Sequence, residues 1–83
     1  MLFRSKAIES IQDGLALMRE GGNRPGEAGA LVSLASAYGS ISRMEDAADN
    51  FGRALAIYRE LQDRTGQGIT LSNLGITLNF LSR

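Results

Sequence analysis

Apolar residues recur at steps of three and four along four stretches of this chain, the spacing that puts them on one face of an α-helix. The first stretch, about residues 4–20, carries Ala7, Ile8, Ile11, Leu15 and Met18 and stops at Gly21-Gly22. The second, about 24–41, carries Ala28, Leu31, Leu34, Ala35, Tyr38 and Ile41. The third, about 43–61, has the longest stripe: Met44, Ala47, Ala48, Phe51, Ala54, Leu55, Tyr58 and Leu61. The fourth, about 64–81, repeats the idea with Leu71, Leu74, Gly75, Leu78 and Leu81. Start signals agree with these bounds. Asn23 and Asp63 are placed as N-caps, Pro25 falls in a first turn where its missing N–H costs little, and Glu27 complements the positive end of the helix dipole. Ser42 and Glu45 form an S-x-x-E capping box, which predicts that Ser42 caps the third helix. Short connections between long helices predict an all-α, antiparallel array of four helices in a single domain over residues 1–83.

The pattern also repeats at long range. Residues 23–43 (NRPGEAGALVSLASAYGSISR) return 40 positions later as 63–83 (DRTGQGITLSNLGITLNFLSR), and Ala47, Leu55, Ala56, Arg59 and Glu60 echo Ala7, Leu15, Ala16, Arg19 and Glu20. A fixed period of this length is the signature of a repeat architecture. Charge is distributed unevenly over it: residues 28–42 and 68–82 contain none. A helix uncharged all round is ordinarily contacted on most sides, so the second and fourth helices are expected to form an inner layer and the first and third an outer one.

Composition narrows the functional classes. Nine basic and nine acidic residues cancel, leaving no global field to attract nucleic acid or an anionic membrane surface. No run approaches the ~20 apolar residues that span a bilayer, and the first residues do not read as a signal peptide, so a cytoplasmic location is expected. With no Cys and no His, disulfides, thiolate chemistry, the common zinc ligands and the common acid–base residue are missing. No metal or cofactor is expected.

Catalytic patterns are not found. Gly66 and Gly68 lack the remaining spacing of a phosphate-cradling loop, and Ser33, Ser36 and Ser40 have no His or Lys within helical reach to act as base. Glu45, Asp46 and Asp49 lie near one helix start, where dipole complementarity and solvation account for them better than a cation site does. The chain is therefore expected not to be an enzyme.

The first-helix pattern Leu31, Leu34, Ala35, Tyr38, the second-helix pattern Ala47, Phe51, Ala54, and the turns GNRPGEA and QDRTGQG together resemble the tetratricopeptide repeat family, in the 40-residue variant of kinesin light chains, G-protein-signalling scaffold proteins and bacterial regulators. Leu71, Leu74, Gly75 and Leu78 give the next copy, and Ala7, Ile11 and Gly14 match the second-helix pattern. The resemblance spans essentially the whole chain, with Ala35 for the usual Gly, Ile11 for an aromatic and Ser42 for the helix-joining Gly as departures. It implies an α-solenoid of about two repeats, out of phase, acting as a non-catalytic protein-interaction module. Its concave face would consist of Val32, Ser33, Ser36, Ser40, Ile69, Ser72, Asn73, Ile76, Asn79 and Phe80, with Asn73 at the position whose carboxamide commonly holds a peptide backbone. The Lys and Arg that clamp a C-terminal carboxylate in chaperone adaptors have no counterparts here, so a neutral peptide or partner protein is expected. The phase of the repeat implies a second possibility, self-association. Helix four would leave Leu71, Leu74, Leu78 and Leu81 open and helix one would leave Ile8, Ile11 and Leu15 open, closing a homodimer in preference to an open superhelical filament.

Overall fold

In a computed structural model, residues 5–82 are described, and they form four α-helices: α1 (Lys6–Glu20), α2 (Arg24–Ser40), α3 (Met44–Glu60) and α4 (Arg64–Leu81). Arg4, the expected start of the first helix, lies outside the described residues. Each helix packs principally against its neighbours in sequence, α1 on α2, α2 on α3 and α3 on α4, in a slab 39 × 30 × 13 Å. No helix is long and apolar enough to cross a membrane.

The turns are copies of one device. Gly22, Ser42 and Gln62, at a step of 20, all take a positive φ, of 68°, 64° and 56°. At each, two backbone bonds close a Schellman motif: Asn23, Arg43 and Asp63 donate their N–H to the carbonyls of Met18, Tyr38 and Tyr58 at 2.9 Å, while Gly22, Ser42 and Gln62 donate to Arg19, Gly39 and Arg59. Glycine takes this conformation freely, whereas Ser42 and Gln62 hold it at a cost of about 1 kcal/mol each. The residue that ends one helix motif then starts the next helix. Asn23 Oδ1 accepts from the Gly26 N–H and Asp63 Oδ1 from the Gly66 N–H, both at 2.9 Å. The expected capping box is not formed. Because Ser42 is consumed in the left-handed turn, Arg43 occupies the N-cap, without a side-chain cap bond. Its guanidinium instead pairs with Asp46 at 2.7 Å and lies over the Tyr38 ring.

Gly26 and Gly66 recur for a steric reason. A Cβ on Gly66 would lie 2.5 Å from the Tyr58 ring, and one on Gly26 would lie 2.6 Å from Met18 Sδ. Each helix start is thereby pressed onto the last turn of the helix before it.

The core lies between α2 and α3. Ala28, Leu31, Leu34 and Ala35 are buried from one side and Ala47, Phe51, Ala54, Leu55 and Ile57 from the other. Ala28 and Ala35, like Ala47 and Ala54, are seven residues apart and wholly covered, so two turns of small side chain let the backbones approach. Ala28, Leu31 and Leu34 share a cluster with Ala54 and Ile57, and Ala35 shares another with Ala47 and Phe51, the pairing of an antiparallel contact.

Two expectations are corrected here, and a third is met in part. The inner pair is α2 with α3, not α2 with α4: among the described residues, α4 buries only Thr70 and Thr77. Its leucine stripe is largely open, as the phase of the repeat implied: Leu71, Leu78 and Leu81 are exposed, and of the four only Leu74 is tucked, against the Phe51 cluster. Leu15 is not open, being 6% exposed, and Ile8 and Ile11 pack beside it. One cause underlies these placements. A helix at either side of the slab has one packed neighbour, so α1 turns its best apolar stripe toward α2, while α4 meets α3 through the flank carrying its threonines.

Candidate functional site

A groove of about 350 Å³ opens between α2 and α4 above α3. Ala35, Ser36 and Gly39 come from α2, Met44 and Phe51 from α3, and Asn73, Ile76, Thr77 and Phe80 from α4. Small residues make the α2 wall, so the floor is the buried Phe51 ring, and the α4 wall is built by residues three and four apart on one flank. None of the lining side chains is charged. Thr77 Oγ1 is satisfied within α4, donating to the Asn73 carbonyl at 2.8 Å, and so presents its methyl. The Asn73 carboxamide, half-buried at the edge, makes no hydrogen bond among the described residues.

Of the residues expected on a concave surface, Ser36, Asn73, Ile76 and Phe80 meet in this groove. Val32 does not belong to an open surface: it is half-buried and packs against both core clusters. Ser33 and Ser40 are exposed outside the groove lining, the Ser40 hydroxyl donating to the Ala37 carbonyl. Ile69 is exposed two turns before Ile76, on the same flank of α4. Ser72 and Asn79, also exposed, fall on the side of α4 away from Thr70 and Thr77. Ala35, Gly39, Met44, Phe51 and Thr77 were not anticipated as lining residues. Ala35, Met44 and Phe51 lie on stripes that read as core, and a groove floor is a stretch of core left uncovered. The pair Thr70 and Thr77, spaced by seven, was the available signal for the buried side of α4.

A second, polar feature lies at the turns. Glu27 is buried where α1, α2 and α3 converge, and it accepts from Arg19 at 3.1 Å and Arg24 at 2.8 Å. Burial raises the Glu27 pKa, but the two guanidinium hydrogen bonds outweigh it and hold the carboxyl below its usual range. Arg24 also grips Glu60 through Nε and Nη2 at 2.8 and 2.9 Å. That fork, with the bond to Glu27, raises the Arg24 pKa and lowers that of Glu60. One period later, the corresponding cleft, about 590 Å³, is lined by Arg59, Gln62, Arg64 and Gln67. Gln67 stands at the position of Glu27, so the two arginines are present without their carboxylate. Among the described residues neither Arg59 nor Arg64 makes an ion pair.

No group of three His, Cys, Asp or Glu among the described residues is placed to hold a metal ion. Comparison with known proteins returns no matching family model, no matching curated protein and no matching solved structure.

Proposed function

We propose that this chain is a non-catalytic protein-interaction module of the tetratricopeptide type, taking a neutral peptide segment in the groove between α2 and α4. The observation that carries the reading is the combination of an uncharged apolar groove with the uncommitted Asn73 carboxamide at its edge. A carboxamide supplies one donor side and one acceptor side, which is what a peptide backbone needs, while Phe51, Ile76 and Phe80 offer a seat for an apolar side chain. A volume of about 350 Å³ suits one large side chain or two small ones.

Panning a random peptide library on the immobilised chain and measuring the selected peptides by calorimetry tests this. Selected sequences should be neutral with one apolar anchor, and affinity should change little with salt. Asn73→Ala should weaken binding several-fold with the melting temperature unchanged. A library that enriches no peptide, or affinity unaffected by Asn73→Ala alongside a lowered melting temperature, removes the groove as the binding site.

A further inference from the structure

The 40-residue period allows each outer helix to be compared with its own buried counterpart. On α2, the stripe Ala28, Leu31, Ala35, Tyr38 faces α3. Its counterparts on α4 are Gly68, Leu71, Gly75 and Leu78, and all four are exposed, Leu71 at 47% where Leu31 is at 1%. On α3, the answering stripe is Ala47, Asn50, Ala54 and Ile57, every one buried. Its counterparts on α1 are Ala7, Ser10, Gly14 and Leu17. Three of them are exposed and Gly14 partly so, with Leu17 at 68% where Ile57 is at 4%. Both open stripes keep the 3-4-3 spacing of the buried pair. What α1 and α4 leave uncovered is thus the two halves of one interface, the one that α2 and α3 already make with each other.

The charges follow the same register. Moving the Arg24–Glu60 fork by one period places Arg64 on α4 opposite position 100, which in repeat terms is position 20 of another copy, and that residue is Glu20. Arg64 has no ion-pair partner among the described residues, and neither does Glu20. We propose that the occupant of the exposed α4 stripe is α1 of a second copy of this chain, docked as α3 docks on α2, with Leu17 of the incoming copy against Leu71 and Gly68 and its Glu20 on Arg64. The two surfaces differ from each other, so the contact is heterologous and runs head to tail instead of closing a two-fold pair. Filling the stripe also covers a helix that carries no charge from Gly68 onward and otherwise exposes Leu71 and Leu78 to water.

Sedimentation velocity of the full chain between about 10 and 500 μM, a span that populates contacts of micromolar Kd, tests the proposal. The mass of the native chain should climb with concentration past that of a dimer. Leu17→Glu and Leu78→Glu should each give a monomer, and because both side chains are exposed their melting curves should match the native one at a concentration low enough to keep the native chains apart. An equimolar mixture of those two variants should form a 1:1 complex that grows no further, since one chain keeps a sound α4 stripe and the other a sound α1 stripe. Glu20→Arg and Arg64→Glu should each weaken assembly at least tenfold, and mixing them should restore it, while Asn73→Ala leaves it unchanged. A native chain that stays monomeric at 500 μM overturns the proposal. So does assembly that survives Leu17→Glu, or a charge-reversed pair that does not recover on mixing.

Discussion

The second and fourth helices are two copies of one sequence segment in two surroundings. In α2, Leu31 is covered by neighbours on both flanks; in α4, Leu71 holds the same repeat position and is half exposed. In the first copy Glu27 is clamped by Arg19 and Arg24, and in the second Gln67 leaves Arg59 and Arg64 without a carboxylate. The difference teaches that the repeat encodes an interface, not a core position. A leucine at this place is a core residue only when a helix lies on it, and Gly68 and Gly75, at the places of the buried Ala28 and Ala35, are exposed.

The largest effect expected on this comparison comes from the leucines. Leu31→Ala should cost roughly 2–5 kcal/mol, as deletion of a fully packed leucine does, whereas Leu71→Ala should stay within about 0.5 kcal/mol, as exposed substitutions do. Urea unfolding at a concentration low enough to keep chains apart measures both. Equal losses would mean that α4 is covered in solution.

Next come the glycines of the fourth helix. Gly66→Ala forces a Cβ into the Tyr58 ring and should destabilise by about 1–3 kcal/mol, the usual cost of overpacking. Gly68→Ala meets nothing within 4 Å and should gain up to about 1 kcal/mol from helix propensity. Thermal melts that failed to separate the two would remove the steric account of the repeated glycine.

A smaller gain is expected at Thr70, whose hydroxyl is buried without a hydrogen-bond partner. Replacing it with the near-isosteric Val should stabilise by about 1 kcal/mol, since an unsatisfied buried hydroxyl costs about that much or more. A loss of stability on Thr70→Val would show the hydroxyl to be bonded. The same position in α2 is Ala30, which carries no polar atom to satisfy.

The smallest effect depends on pH. The Glu27 carboxyl has a folded pKa below its unfolded value, so the unfolded chain binds more protons as the solution is acidified. The stabilisation is complete above the unfolded value of about 4.3 and fades as pH falls through the folded pKa. Glu27→Gln should therefore lower the urea midpoint at pH 7 and flatten the acid limb of the stability curve below about pH 4. An acid limb unaltered by the substitution would assign acid sensitivity to other carboxylates.

Much of the fold was legible from the chain. Four amphipathic stripes placed the helices to within a residue or two, because a 3.6-residue period is a local property and Asn23 and Asp63 are local caps. The capping box at Ser42 does not form for an equally local reason: two motifs compete for that residue, and the Schellman turn, which holds Ser42 at a positive φ and gives its N–H to the Gly39 carbonyl, prevails over the side-chain bonds of the box. Four of the groove residues, Ser36, Asn73, Ile76 and Phe80, are among those the resemblance places on a concave face.

What the sequence by itself determined, then, is the helices, their turns and the 40-residue period that relates them, all set by torsional preference and side-chain spacing within a few residues. Only the tertiary structure decided which apolar residues are core. Leu31 and Leu71 hold the same position of the 40-residue repeat, and burial is a property of what stands across the gap. Helix packing put α2 and α3 at the slab's centre, buried Leu15 and Thr70, exposed Leu17 and Leu78, and left Phe51 as the floor of a groove.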